Sequence, residues 1–434
     1  MNPPYYLETQ TAIFVFIFMM LLASIFKQRY AVCAYLGIMI FRPGEVYSWV
    51  GAMRFELVVV AYLGLSIIIR GKANALWDHR LSKAVFFFFT VAFLSIIQAY
   101  NVSASYDYAY ANLFPIVIFF AVLIGFSEKP SDIRFLLYVY LGIVAYLAWL
   151  PIFNHLHGIG VERHGAGIIH STGNTMGVTG HVGLANLMTQ SIPFAYFMML
   201  SEKAIFKKIL LLAFIGIFVF ATIASGSRGG FLGLLVCGGL FVYKAKNKGL
   251  TVVIMIICGL IAMSFMSANY LGWMSTIEDL GNTEYSASSR WIGLRHGIEM
   301  AIRRPILGVG IGCYAIARSA WFGWGIWAHN LYGELIGELG ILGIISWGGF
   351  IYLCFIEMKK IRKYIQSKPS HDEFLNHLIN ACWAVLILRL VLGMTSHSLM
   401  VYIWYMIGGI LIVCSKWLGQ HDPEYRTMGN NTST

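Results

Sequence analysis

The stretch WAHNLYGELIGELG, Trp327 to Gly340, sets His329, Asn330, Glu334 and Glu338 at the mouth and first turns of an apolar segment that continues as ILGIISWGGFIYL. Ionisable groups inside or at the lip of a membrane helix are costly, so they face a bundle interior and mark a substrate path. Positions 330, 334 and 338 recur every four residues and share one helix face. Gly333 and Gly337 form a flat stripe on which another helix can lie closely. The pattern predicts a buried helix that presents polar groups to its neighbours.

The composition sets this helix in a membrane. Of 434 residues, 58% are hydrophobic and 12% charged, with a mean hydropathy of +0.70. That excludes a soluble globular chain and implies an all-α polytopic membrane protein. The first apolar run follows MNPPYYLETQ, which lacks the positive segment of a cleavable signal, so the run is expected to remain as a helix. The seven cysteines show no CxxC or Cys/His spacing, and all but Cys313 lie in apolar runs, so neither a disulfide framework nor a zinc site is expected. The net charge of +11 is carried largely by lysines of the connections and points to no nucleic-acid partner. Twelve tryptophans and 24 tyrosines fit aromatic belts at two interfaces.

Apolar runs near 11–26, 30–41, 55–69, 84–99, 113–126, 135–153, 183–200, 208–224, 231–243, 250–268, 331–357, 377–396 and 399–415 are the candidate spans. The run 30–41 is short and is followed by FRPGEVYSWVGAMRFE, so it reads as a half-helix or re-entrant segment as readily as a span. The expectation is 12–13 transmembrane helices. Lysines such as Lys27, Lys72, Lys129, Lys207, Lys246 and Lys360 follow the odd-numbered runs, which places those connections in the cytoplasm.

The opposite face carries Arg42, Arg54, Arg163, Arg228, Arg290, Arg295, Arg303, Arg304 and Arg318 and no lysine. Arginine grips phosphate oxygens bidentately, so this face suits a phosphorylated ligand, although exclusion of lysine from translocated loops accounts for the bias nearly as well. Two loops on this side are long, 154–182 and about 269–330. Within the second, Trp291, Leu294, Ile298, Ala301 and Ile302 recur at helical spacing, opposite Arg295, Glu299 and Arg303, which are expected to pair with one another. This predicts an amphipathic helix over the bundle mouth, ending at Pro305 before the turn-forming GVGIG. The chain thus divides into an N-terminal bundle with the first long loop (1–182), central helices with an SGSRGG turn (183–268), an outer loop domain (269–330), C-terminal helices (331–418) and a tail (419–434) that reads as disordered from HDPEYRTMGNNTST onward.

Three constellations carry chemistry. SGSRGG, 225–230, sets Arg228 in a tight turn, with Ser227 beside it, where the amides of a starting helix favour an anion. A short turn whose arginine snorkels to lipid head groups is an equal alternative. SASSR, 286–290, offers Ser288 or Ser289 as an N-cap and puts Arg290 in the first turn, where the helix dipole disfavours a cation unless an anion is bound. His329 titrates near neutrality and can take a proton from a hydroxyl or bind a phosphate, with Asn330, Glu334 and Glu338 below it. Of the remaining histidines, His181, in GHVGLAN with Asn186, and His397, in the turn between the last two helices, are the better supporting candidates. Asp107 and Asp279 are the only aspartates on this face and no DxD is present, so no metal site is expected and arginines are left to neutralise a leaving group.

SGSRGG at a helix junction, a long loop with Arg290 and RRPILGVGIGCY, and AHNLYGELIGELGILG opening a late helix together resemble the O-antigen ligase and polymerase superfamily, over roughly residues 180–415. The resemblance implies a GT-C-like bundle with a helical periplasmic loop domain in the bacterial inner membrane. It implies transfer of a glycan from undecaprenyl diphosphate to an acceptor hydroxyl, of lipid A-core or another acceptor, with inversion and with neither metal nor cofactor. Arg228 and Arg290 would then hold the diphosphate, with His329 as base or phosphate contact. Ligase is favoured over polymerase and protein glycosylation by the single outer domain before AHN. A transporter of lipid-linked glycans is the reading from another class, and it predicts charges along a path across the membrane. Arg389, deep in the run 377–396, is the one residue that neither reading places.

Overall fold

The computed structural model describes residues 4–41, 43, 48–156, 180–225, 227–264, 285–368 and 372–427. In chain order the helices are α1 Pro4–Ser24, α2 Arg29–Phe41, α3 Ser48–Ala52, α4 Phe55–Ile69, α5 Arg80–Ile97, α6 Val102–Phe126 and α7 Pro130–Leu156. They continue as α8 Gly180–Ser201, α9 Ile205–Ala224, α10 Arg228–Lys244, α11 Lys248–Ser264, α12 Tyr285–Arg303 and α13 Tyr314–Phe322. The last four are α14 Leu331–Ser367, α15 Glu373–Leu392, α16 Tyr402–His421 and α17 Pro423–Thr427. The chain is an all-α polytopic membrane protein.

Each apolar run of the sequence falls on a helix, because a long apolar run in lipid must satisfy its own backbone. Among the described residues, seven helices, α5, α6, α7, α9, α14, α15 and α16, contain stretches long and apolar enough to cross a membrane; the apolar stretches described in α1, α2, α4 and α11 are shorter. The 13 residues of α2 rise only about 20 Å and are buried almost throughout, as suits a segment sunk in protein. The six cysteines with described side chains are buried thiols.

Helix α16 is the central post. It is the most buried of the seven, every residue from Ile403 to Ser415 is buried, and it touches α5, α6, α7, α14 and α15. Helix α9, by contrast, leaves Ile205, Phe206, Ile209 and Leu212 exposed, the surface expected of a lipid-facing edge. Helix α8 packs against α9, α10 and α15. At the lysine-bearing end the buried Glu357 accepts from the Ser415 hydroxyl at 2.8 Å, the Tyr425 hydroxyl at 2.9 Å and Arg80 at 3.2 Å. Those bonds fold α17 back onto the bundle, so the tail is ordered to Thr427 rather than disordered from His421.

Helix α14 is broken at Gly340, whose φ of 58° lies in the left-handed region. The break frees two carbonyls and two amides that nothing in lipid could satisfy. The segment after Pro305 supplies the partners. Val309 and Gly310 donate to the carbonyls of Gly337 and Glu338 at 2.9 and 3.0 Å, while Ile341 and Leu342 donate to those of Pro305 and Ile306 at 2.9 and 3.2 Å. GVGIG is therefore more than a single turn: it is a run of turns, with left-handed glycines at 308, 310 and 312, stitched into the helix break.

The glycine stripe of α14 receives α12. A Cβ on Gly297 would strike the backbone of Gly333, a Cβ on Gly333 would lie 2.9 Å from Leu294 Cα, and one on Gly337 would lie 3.1 Å from Gly297 Cα. Gly293 and Gly297 thus meet Gly333 and Gly337 in a small-residue crossing of two GxxxG faces. This reverses the expected orientation of α12. Its packed face is Gly293, Gly297 and Met300, whereas Trp291, Ile298 and Ile302 are 70, 42 and 74% exposed. Close backbone contact outweighs the larger side chains at this crossing, and the exposed apolar stripe suits a membrane interface. Gly297→Leu is expected to force α12 off α14 and destabilise the fold by more than about 2 kcal/mol, read as a lower midpoint of thermal unfolding in detergent; an unchanged midpoint would refute the crossing.

Candidate functional site

Each polar residue at the start of α14 anchors a different segment. Asn330 is the N-cap, its side chain accepting from Tyr332 and Gly333 at 2.9 and 3.1 Å. Glu334, buried, accepts from the amides of Ser398 and Leu399 at 2.9 and 3.2 Å, and Leu331 donates to the Gly393 carbonyl at 2.7 Å. Those bonds hold the connection between α15 and α16, which carries His397. Glu338, one turn deeper and also buried, accepts from the amide of Tyr314 at 3.1 Å and so fixes the start of α13. The three groups below His329 therefore position backbone.

His329 sits just before the cap with φ 46°, a left-handed conformation that costs a non-glycine residue about 1–2 kcal/mol. Arg318 of α13 holds the chain there. Its side chain is wholly buried and donates to the carbonyls of Ile326 and Trp327 at 3.3 and 3.2 Å and to His296 Nδ1 at 3.0 Å. His296 stacks on Phe322, with ring centroids 4.0 Å apart. Trp327 stacks on His397, and His397 meets His329 edge to face at 5.3 Å. His329 stays exposed at the mouth of this assembly.

Arg228 is the first residue of α10. Ser227 caps the helix, accepting from the Gly230 amide at 3.2 Å. A Cβ on Gly230 would lie 2.7 Å from Ala185 Cβ, and one on Gly229 would lie 3.3 Å from Thr395 Oγ1, so the glycines let α10 start against both α8 and the His397 connection. Arg290 lies differently from expectation. Helix α12 begins at Tyr285, four residues before Ser289, which places Arg290 in the second turn. The dipole penalty assigned to Arg290 falls instead on Arg228, a cation on the first residue of a helix.

The electrostatics draw these residues together. Burial, followed by the Arg228 charge, pulls the Arg290 guanidinium down from its ordinary value. His329, exposed at the mouth but packed among its neighbours, is held below the ordinary histidine value of about 6.5 by partial loss of water first, then by the Arg290 and Arg318 charges. Burial and the neighbouring His329 push His397 down to about 4. Among the described residues, the charges acting on Arg290 and His329 are arginines alone. Cations gathered without a carboxylate make an anion seat, and the neutral ring beside them can accept a proton.

Residues 210–348, about a third of the chain, match the family model of O-antigen ligase. That match supports the resemblance to the O-antigen ligase and polymerase superfamily. No curated protein matches the chain. The O-antigen ligase match contains Ser227, Arg228, Arg290, Asn330, Glu334 and the His329 turn, while His397 and Arg389 lie beyond it.

Several residues fall outside the cluster or outside the description. Arg42, Arg163, His157, His164, His170 and Asp279 lie outside the described residues. His181 is the second residue of α8. Arg295 pairs with Glu299 at 2.9 Å as expected, but Arg303 leaves that group and lies over Trp321, 4.8 Å from its centroid. Arg389 is in the last turn of α15, one turn from its Gly393 cap, where the helix dipole favours a cation. The sequence reading missed the role of Arg318 and the Gly293–Gly297 face. The second was visible as a GxxxG spacing that matches the one in α14.

Arg318→Met is expected to raise the pH at which His329 loses its proton, because a positive charge that lowers it is gone, whereas Arg318→Lys keeps most of the charge. The pH dependence of carbethoxylation of His329 measures this, and equal midpoints in all three proteins would refute the coupling.

Proposed function

We propose that the chain is a metal-independent inverting glycosyltransferase that moves a glycan from undecaprenyl diphosphate to an acceptor hydroxyl on the periplasmic face of the bacterial inner membrane, with ligation of O-antigen to lipid A-core as its reaction. The arrangement that carries this reading brings Arg228 and Arg290 to His329: Gly293, one turn after Arg290, lies against Ala328, and Gly229 lies against Thr395 of the connection whose His397 meets His329. The O-antigen ligase match, which contains Arg228, Arg290 and His329, supports it.

In this mechanism the acceptor oxygen attacks the anomeric carbon on the face opposite the diphosphate, and its proton passes to His329. The bond from that carbon to the diphosphate oxygen breaks, and its electron pair leaves with the diphosphate. Arg228 and Arg290 offset the growing charge. A base works only when unprotonated, so a histidine held below about 6.5 is ready at neutral pH. Its left-handed backbone, held through Arg318, keeps the ring at the mouth, where an acceptor can arrive from outside. The lipid tail would lie between helices.

Polymerisation of repeat units and transfer to protein hydroxyls use the same chemistry and differ in the acceptor. The transporter reading would place Arg389 on a path across the membrane, but the last turn of α15 does not favour it.

With purified protein, undecaprenyl-diphosphate glycan and candidate acceptors in EDTA, product is expected from the wild type. Losses of roughly a hundredfold or more are expected for Arg228→Ala, Arg290→Ala and His329→Ala. The rate should fall as pH drops through a value below about 6.5, where the base takes up its proton. Full activity in the folded His329→Ala protein would remove His329 as the base. Absence of product with every acceptor, together with lipid movement in proteoliposomes, would favour the transporter.

A further inference from the structure

Beneath the connection that carries His397, five polar atoms on four residues have no partner among the described residues: Asn186 Oδ1, Gln190 Oε1, Arg389 Nε and Nη2, and Ser398 Oγ. Asn186, Gln190, Arg389 and Ser398 are 2–4% exposed. The groups adjoin. Asn186 and Gln190 are one turn apart on α8, and Asn186 Nδ2 donates to Ser396 Oγ at 3.3 Å. Gln190 reaches the Tyr140 hydroxyl, and the Tyr140 and Tyr402 rings meet edge to face at 6.4 Å. The Arg389 charge acts on Tyr140, Tyr402 and Glu334, and its guanidinium lies 5.4 Å from the Trp404 ring, whose indole donates to the Ser398 carbonyl at 2.9 Å.

Hydrogen directions decide what this cluster can bind. The Ser396 hydroxyl is committed to the Leu392 carbonyl, so Asn186 must present its NH₂ to Ser396 and leave its oxygen free. The Ser191 hydroxyl is committed to the Leu187 carbonyl, so Tyr140 donates to Ser191 and Gln190 donates to Tyr140, which leaves the Gln190 oxygen as an acceptor. The cluster therefore offers two acceptors, two guanidinium donors and one hydroxyl that can do either. A phosphate or carboxylate, which only accepts, would face two amide oxygens. Sugar hydroxyls, each donor and acceptor at once, match the set. The wall formed by Thr395 and Ser396 is shared with the Arg228 turn, since Thr395 lies against Gly229.

We propose that these groups line a chamber that serves as a sugar subsite, which takes a hydroxyl-bearing ring of the glycan while the diphosphate rests on Arg228 and Arg290. The assignment rests on the donor reading above. It is tested with the purified protein in nanodiscs and two probes, undecaprenyl diphosphate alone and undecaprenyl diphosphate bearing one N-acetylhexosamine. The wild type is expected to bind the sugar-bearing lipid roughly tenfold more tightly. Gln190→Leu and Asn186→Leu are expected to erase that difference and leave the affinity for the bare lipid intact, and Arg228→Ala to weaken both. Ser398→Ala, which keeps the backbone bond to Glu334, is the milder check and should narrow the difference severalfold. Equal binding of both lipids by the wild type, or parallel loss of both in the chamber variants, would overturn the subsite and leave the donor reading standing. A wild type that binds neither lipid would overturn both.

Discussion

A helix cannot be broken inside a membrane bundle unless other backbone takes up the hydrogen bonds it loses, and the break in α14 at Gly340 is the constraint from which the functional end of this protein is built. The four bonds to Pro305, Ile306, Val309 and Gly310 bind the loop domain to the bundle through main chain alone. Main-chain bonds need close approach, and the glycines at 293, 297, 333 and 337 allow it. Once α12 lies on α14, Glu338 can reach the amide of Tyr314, and α13 is set so that Arg318 points inward. His329 is positioned at the end of that sequence of contacts.

The arrangement concentrates cost at the site. Three arginines and two histidines gather where, among the described residues, no carboxylate acts on Arg290 or His329, and His329 holds a strained backbone. Such local conflicts are expected where the fold serves chemistry, and the surrounding packing must offset them. The two ends of the bundle solve a related problem with buried carboxylates. Glu334 and Glu338 accept backbone amides at one end, and Glu357 gathers two hydroxyls and an arginine at the other. In each case the carboxylate accepts from donors in distant parts of the sequence, which fixes connections that have little apolar surface of their own.

Polar residues near a reactive histidine are easily read as chemical partners. Asn330, Glu334 and Glu338 share a helix face with the spacing of a polar path, yet each is already committed to backbone amides. Other uncommitted groups lie on the far side of the same connection, on α8 and α15 and at Ser398. The distinction between a group that holds the frame and one that faces a ligand rests on hydrogen-bond partners, and those partners come from other elements.

The sequence alone determined the local features. Thirteen apolar runs became helices because backbone in lipid has few other choices, Ser227 became a cap because capping involves three residues, and Gly333 and Gly337 formed one stripe because the helical period places them together. The gathering of Arg228, Arg290 and His329 was expected only through a family resemblance. Tertiary structure decided what meets each face: that glycine and not tryptophan turns inward on α12, that GVGIG fills a break in α14, that the buried Arg318 shapes the His329 turn, and that Arg389 ends its helix instead of crossing it. Periodicity says which residues share a side; close packing and hydrogen bonding between residues far apart in the chain decide what lies opposite.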